Sequence, residues 1–190
     1  MSNRLTFDAI VVGAGPAGTS AAIVLARAGL NTIVIERGRF PGSKNFFGGV
    51  LYTHALAEVL PDYQSRGPVF ERPVTDTGYW LLSPDSLLRL TQKSERYKKE
   101  PAEAYTALRA TFDPWFAQQA VDLGALIVNK TSVLDFIKDG QGRVIGVSTD
   151  RPDGEVYAPA VIVAEGVNNL LTQKLGLAAS DLPPRFVALS

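Results

Sequence analysis

The segment Asp8-Ala-Ile-Val-Val-Gly-Ala-Gly-Pro-Ala-Gly18, with Asn31-Thr-Ile-Val-Ile-Glu36 behind it, constrains this chain more than any other feature. It reads as a strand, a glycine turn, a helix and a second strand ending in a carboxylate. Gly13 permits the tight turn out of the first strand, Gly15 lets backbone N–H groups approach a pyrophosphate, and Gly18 lets the helix pack close on the sheet. The helix N-terminus then presents its positive dipole end to the diphosphate. Glu36 follows Gly18 by 18 residues, the position from which a carboxylate accepts hydrogen bonds from adenosine ribose hydroxyls. Segment 6–36 is therefore read as an ADP-binding β-α-β unit.

A glycine triplet alone opens many helices that bind nothing, so the flanking residues decide the reading. Ala9 to Val12 is an apolar strand, and Pro16 stands in the first helical turn, where its missing N–H leaves no bond unmade. Ala17, Ala21, Val24, Leu25 and Ala28 are expected to form the buried stripe of the helix. Gly29 is expected to end it in a positive-φ conformation.

With 46% hydrophobic and 20% charged residues, the 190-residue chain is globular in character and long enough for one substantial domain. Lys and Arg number 19, as do Asp and Glu, so there is no overall field to recruit nucleic acid. The cations between Lys93 and Glu100 are interleaved with Glu95 and Glu100 and read as a solvated face. Cysteine is absent, which removes a catalytic thiol and cysteine-ligated metal centres and leaves redox chemistry to a bound cofactor. No stretch reaches the ~20 apolar residues of a membrane-spanning helix, and no signal-peptide pattern opens the chain. The expected location is the cytoplasm, with peripheral attachment to the inner face of the membrane as the alternative.

Beyond Glu36, the glycine-rich stretch from Arg37 to Gly49 is expected to be irregular, and a short helix to run from Thr53 to Val59. Between Pro61 and Pro84 the prolines, the aromatics and the alternation of Thr77 to Leu82 predict extended segments of a smaller layer. Pro101 to Gly124 reads as a helix, with Leu108, Phe112, Trp115, Phe116, Ala120 and Leu123 at helical spacing. Leu126 to Val128 reads as a strand returning to the parallel sheet. Ser132 to Lys138, Val144 to Thr149 and Glu155 to Ala158, separated by glycine turns, predict an antiparallel meander. Ala160 to Ala164 is a last parallel strand, followed by Glu165-Gly166 and a short helix to about Leu175.

Four stretches carry a resemblance: Val11-Val-Gly-Ala-Gly-Pro-Ala-Gly18, Lys44-Asn-Phe-Phe-Gly-Gly49, Tyr105-Thr-Ala-Leu-Arg-Ala-Thr-Phe-Asp113 and Val161-Ile-Val-Ala-Glu-Gly166. Together they make the chain similar to the FAD-dependent oxidoreductases of the glutathione-reductase-like superfamily. Within it, the chain resembles the branch of geranylgeranyl reductases and electron-transfer-flavoprotein–quinone oxidoreductases, and the Lys44 stretch resembles the FixC-type subfamily. The resemblance implies an α/β, Rossmann-like FAD-binding domain with a central parallel sheet and an antiparallel β-meander. Part of a substrate-side layer, 61–100, would be inserted before the meander, 132–158. Members of this branch are about twice as long, which implies that 1–190 is the N-terminal part of such a protein and lacks the third cofactor motif.

The resemblance also assigns roles. Gly13, Gly15, Ala17 and Gly18 would surround the FAD diphosphate, and Glu36 the adenosine ribose. Asn45, Phe46 and Gly48 would lie along the ribityl and flavin side, Arg109 would reach the diphosphate or its neighbourhood, the backbone of Val133 would contact adenine, and Gly166 would approach the cofactor from the second motif. The implied enzyme takes electrons from an electron-transfer flavoprotein and passes them to a quinone or a ferredoxin-like partner. A prenyl-lipid reductase and a non-catalytic nucleotide-binding fragment are the alternatives. No residue is singled out as catalytic and no metal site is expected. His54, the only histidine, reads as a surface or packing residue.

Overall fold

The computed structural model describes residues 5–177, the side chain of Lys98 excepted. The elements follow in the order β1 (Leu5–Thr6), β2 (Ala9–Val12), α1 (Pro16–Arg27), β3 (Thr32–Ile35), β4 (Gly48–Tyr52) and α2 (Thr53–Val59). Then come β5 (Arg72–Pro73), β6 (Asp76–Leu82), β7 (Leu87–Lys93), β8 (Ala104–Leu108), α3 (Arg109–Asp122) and β9 (Leu126–Val128). The last are β10 (Val133–Lys138), β11 (Val144–Thr149), β12 (Glu155–Tyr157), β13 (Ala160–Val163) and α4 (Leu170–Lys174). The chain divides into two compact units, one from Met1–Asn45 with Asp113–Ser190 and the other Phe46–Phe112.

In the first unit a parallel sheet has the order β13-β2-β3-β9. Its central strands are buried at every residue, as parallel strands covered on both faces must be, and so read as unbroken apolar runs. Alternation divides them between two layers. Ile10, Val12, Ile33 and Ile35 pack with Val147, Val156 and Ala158 of the meander side, while α1 packs on β2 and β3. Each such aliphatic side chain, fully buried, contributes about 1.5–3 kcal/mol. The meander pairs β10, β11 and β12 antiparallel, and β1 adds to β12 in parallel. This is the α/β architecture expected, parallel sheet and antiparallel meander included.

The helix α1 keeps its expected bounds but not its expected face. Its buried residues are Gly18, Thr19, Ala22, Ile23 and Ala26, whereas Val24 is 54% exposed and Ala17 and Ala28 are exposed. The helix is apolar nearly all round, so periodicity alone could not choose a face. The close approach of Gly18 to the turn makes the choice: a Cβ there would fall on the Gly13 carbonyl oxygen and 3.2 Å from Val11 Cγ1.

The second unit holds the three-stranded sheet β4-β8-β5 and the two-stranded hairpin β6-β7. The helix expected from Pro101 begins only at Arg109, because Ala104–Leu108 pairs antiparallel with both β4 and β5. Leu108, counted at helical spacing in sequence, is a strand residue and 48% exposed. Tyr105 and Thr106 suit a pleated strand, and the pairing with Gly48 to Tyr52 lies more than fifty residues away in sequence, beyond the reach of local periodicity. For the same reason Gly48 and Gly49 belong to β4 and not to an irregular loop. Tyr63–Arg66, expected to be extended, is a short 3-10 turn. The strand β7 was not anticipated; it pairs Leu90 with Tyr79 and Leu88 with Leu81, all more than half exposed.

Candidate cofactor site

The glycine turn is built from backbone. Gly13 has φ +98°, and its N–H donates to the Ile35 carbonyl at 2.9 Å. A Cβ on Gly13 would lie 2.6 Å from the Ala164 carbonyl oxygen, so the turn is wedged between the ends of β3 and β13. Gly15 is the N-cap of α1 in extended conformation, with no side-chain cap, which leaves the first-turn N–H groups without a side-chain acceptor. Ala17 follows, exposed, in the first turn. Gly29 ends the helix with φ +77°.

Glu36 is tied in on both sides. One carboxylate oxygen accepts the Ala14 N–H at 2.9 Å and the other the Gly38 N–H at 2.6 Å. Two donors leave lone pairs unused on a carboxylate, which has about four acceptor positions. The side chain is thereby held beside the turn, where hydroxyl donors could complete it. Two buried oxygens lack a partner on the flanking segments, Ser43 Oγ and Asn129 Oδ1. Asn129 follows β9 directly, and Val133 opens β10, the second strand after α3. A turn that a Cβ would fill, an uncapped helix start, an oriented carboxylate and unpaired buried oxygens together fit a dinucleotide diphosphate and its ribose.

Gly166 has φ +79° with nothing within 4 Å of a Cβ. Its neighbour Glu165 is turned to other work: its oxygens accept from Leu171 N at 2.9 Å, Thr172 N at 2.8 Å and Thr172 Oγ1 at 2.7 Å. Burial pushes the Glu165 carboxyl up, but the hydrogen bonds from Leu171 and Thr172 outweigh it, and the net shift is downward. A lowered folded pKa contributes stability that is present above the unfolded value and lost as pH falls through the folded one. On acidification through that window, amide protection at Leu171 and Thr172 is expected to fall before that of β2, as read by hydrogen exchange. Equal loss in both places would reject the carboxylate as the anchor of α4.

Of the remaining expected site residues, Asn45 closes the first unit, its N–H donating to Gly42 O at 2.9 Å. Phe46, Gly48 and Arg109 lie in the second unit. Phe46 is fully exposed. Gly48 pairs with Leu108 in the sheet, and a Cβ on it would press 2.9 Å from Leu108 Cδ2. A Cβ on Gly49 would fall on the Phe47 ring. Arg109 is the first residue of α3, and its N–H donates to Phe47 O at 3.0 Å. Phe112 and Phe116 are core residues, each 3% exposed.

Sequence reasoning missed a cavity of about 900 Å³ within the second unit, lined among others by Tyr52, His54, Tyr63, Asp76, Tyr97 and Glu103. The density of tyrosines was the available signal. Its rim is ordered by Arg96, which donates to Glu103 at 2.6 Å, and by a 3.3 Å contact between the Thr77 and Tyr97 hydroxyls. Among the described residues no helix is long and apolar enough to cross a membrane.

Comparison with known proteins agrees with this geometry. The family model described as FAD dependent oxidoreductase matches residues 8–171. Protein FixC of Bradyrhizobium diazoefficiens is 40% identical over 93% of this chain and 40% of its own length. Protein FixC of Escherichia coli K12 is 40% identical over 93% of this chain, again 40% of its own length. The chain therefore spans about two fifths of the curated relatives it matches. Among solved structures, a geranylgeranyl bacteriochlorophyll reductase-like protein from Thermoplasma acidophilum superposes with TM-score 0.76 at 28% identity, covering 95% of this chain and 44% of that one. Aklavinone-11 hydroxylase, solved with FAD and aklavinone, gives TM-score 0.65 at 26% identity over 93% of this chain and 36% of that one. The chain belongs to the FAD-dependent oxidoreductases, a family whose cofactor is FAD, and is FixC-like within it.

Proposed function

We propose that this chain is the FAD-binding portion of a flavoprotein that takes electrons from an electron-transfer flavoprotein and delivers them to a quinone or a ferredoxin-like acceptor. The observation that carries the reading is the Gly13–Gly18 turn with Glu36 oriented beside it, on a chain 40% identical to FixC proteins. FAD, when bound, supplies two-electron uptake and one-electron release. The residues of this chain hold it. The turn at Gly13 leads the chain under the diphosphate, and Gly15, Ala17 and Gly18 receive it on backbone N–H groups and the end of the helix dipole. Glu36 accepts the ribose hydroxyls, and Val133 presents its backbone to adenine. Asn45, Phe46, Gly48, Arg109 and Gly166 complete the assignment toward the ribityl, flavin and diphosphate.

The likeness to a geranylgeranyl bacteriochlorophyll reductase-like protein favours one second reading, reduction of a prenyl lipid. The cavity of about 900 Å³ is within the range of ligand pockets. The deciding experiment is the flavin absorbance of the purified chain after FAD addition and gel filtration. Retained flavin that an electron-transfer flavoprotein reduces supports the first reading. Retained flavin that only a prenyl-lipid couple reoxidises supports the second. A chain that leaves the column colourless overturns both for this polypeptide.

A further inference from the structure

The cation distribution at the carboxyl ends of the parallel strands is uneven, although the chain as a whole has no net charge. Arg37 and Arg39 follow β3, and Lys130 follows β9; all three are exposed. The two segments are joined by backbone bonds, Lys130 N to Gly38 O at 2.8 Å and Thr131 N to Glu36 O at 3.0 Å. Arg151 braces the same corner, donating to Lys130 O at 2.7 Å and Thr131 Oγ1 at 3.2 Å. The ion pairs Arg143 with Asp139 and Lys174 with Asp135 involve none of these cations. The nearby carboxylates are Glu36, engaged by two amides, Asp150, which accepts from Ser132 N, and the exposed turn residue Asp153.

We propose that Arg37, Arg39 and Lys130 form a cationic rim that steers the diphosphate of FAD to the glycine turn without touching it. The inference rests on the FAD reading above. In the order β13-β2-β3-β9, β3 and β9 stand one and two strands from the turn at the end of β2. With strands about 4.8 Å apart, the backbones that carry the rim cations stand roughly 5–10 Å to the side of the turn. That is within the Debye length of about 10 Å at 0.1 M salt. At about 0.5 M the same charges are screened at this range. Such a rim raises the rate of encounter and leaves the bound complex alone, because its members hold no atom of the ligand.

The test is stopped-flow quenching of flavin fluorescence with the 190-residue chain, from about 20 mM to 500 mM sodium chloride. The association rate constant of the wild-type chain is expected to fall about tenfold across that range. Arg37→Gln, Arg39→Gln and Lys130→Gln are each expected to lower the low-salt association rate about two- to threefold, with dissociation unchanged. The triple variant is expected to lose most of the salt dependence. Melting followed by circular dichroism checks its folding, and the single variants carry the test if it fails. Wild-type association that ignores salt overturns the rim and leaves the FAD reading standing. A loss that falls on dissociation also overturns it, because the side chains would then be contacts. Absence of quenching at every FAD concentration overturns both.

Discussion

Gly18→Ala is expected to lower the stability of the chain by about 3 kcal/mol, the upper end of what overpacking costs. For a chain of this size that corresponds to a melting temperature about 10 °C lower by circular dichroism. The added Cβ has nowhere to go. It falls on the Gly13 carbonyl oxygen, with Gly13 C at 3.0 Å and Val11 Cγ1 at 3.2 Å. These are atoms of the turn and the central strand, not the end of a flexible side chain. Nor can Gly13 retreat, since its N–H is bonded to Ile35 O and its own Cβ direction is closed by Ala164 O at 2.6 Å. Gly29→Ala is the control: its φ is +77° but nothing lies within 4 Å. Only the left-handed conformation is then penalised, by about 1–2 kcal/mol. If both variants melt alike, the close helix–turn contact is not what holds α1 to the sheet.

Glu36→Arg is expected to weaken FAD binding by about 3 kcal/mol, a factor on the order of 100 in Kd. The substitution removes the proposed ribose acceptor and leaves the Ala14 and Gly38 N–H groups, now satisfied at 2.9 and 2.6 Å, without one. Guanidinium carries donors only and replaces neither role. Glu36→Gln separates the two contributions, because its single side-chain oxygen can serve one amide while the charge is lost. Its Kd is expected to rise about tenfold, for a loss of roughly 1.4 kcal/mol. Fluorescence titration measures both affinities, and the melting temperature of the ligand-free variants reports the damage to the turn alone. Affinity that matches the wild-type chain in Glu36→Arg would remove Glu36 from the site.

The elements of the first unit were legible because their signals are short in range. An apolar run, a glycine that must turn and a carboxylate at the end of β3 all lie within residues 8–36, and the meander strands are bounded by their own turns. The second unit was misread for the opposite reason. β8 resembles the start of a helix until β4 and β5 claim its backbone. β7 acquires its strand character from pairing with β6. Phe186-Val-Ala-Leu-Ser190 also reads as part of a further strand, and it lies outside the described residues.

Local chemistry in the chain was thus enough to specify a dinucleotide-type β-α-β unit, the parallel strands and the residues proposed for the cofactor site. Tertiary structure alone decided which side of α1 is buried, because the helix is apolar on both sides and only the approach of Gly18 to Gly13 distinguishes them. It also decided that Glu165 caps α4 and that Gly48 and Gly49 pair with β8. It brought Arg37, Arg39 and Lys130 to one corner from segments about ninety residues apart. Each of these depends on a contact between distant parts of the chain, and such contacts leave no periodicity in the sequence to be read.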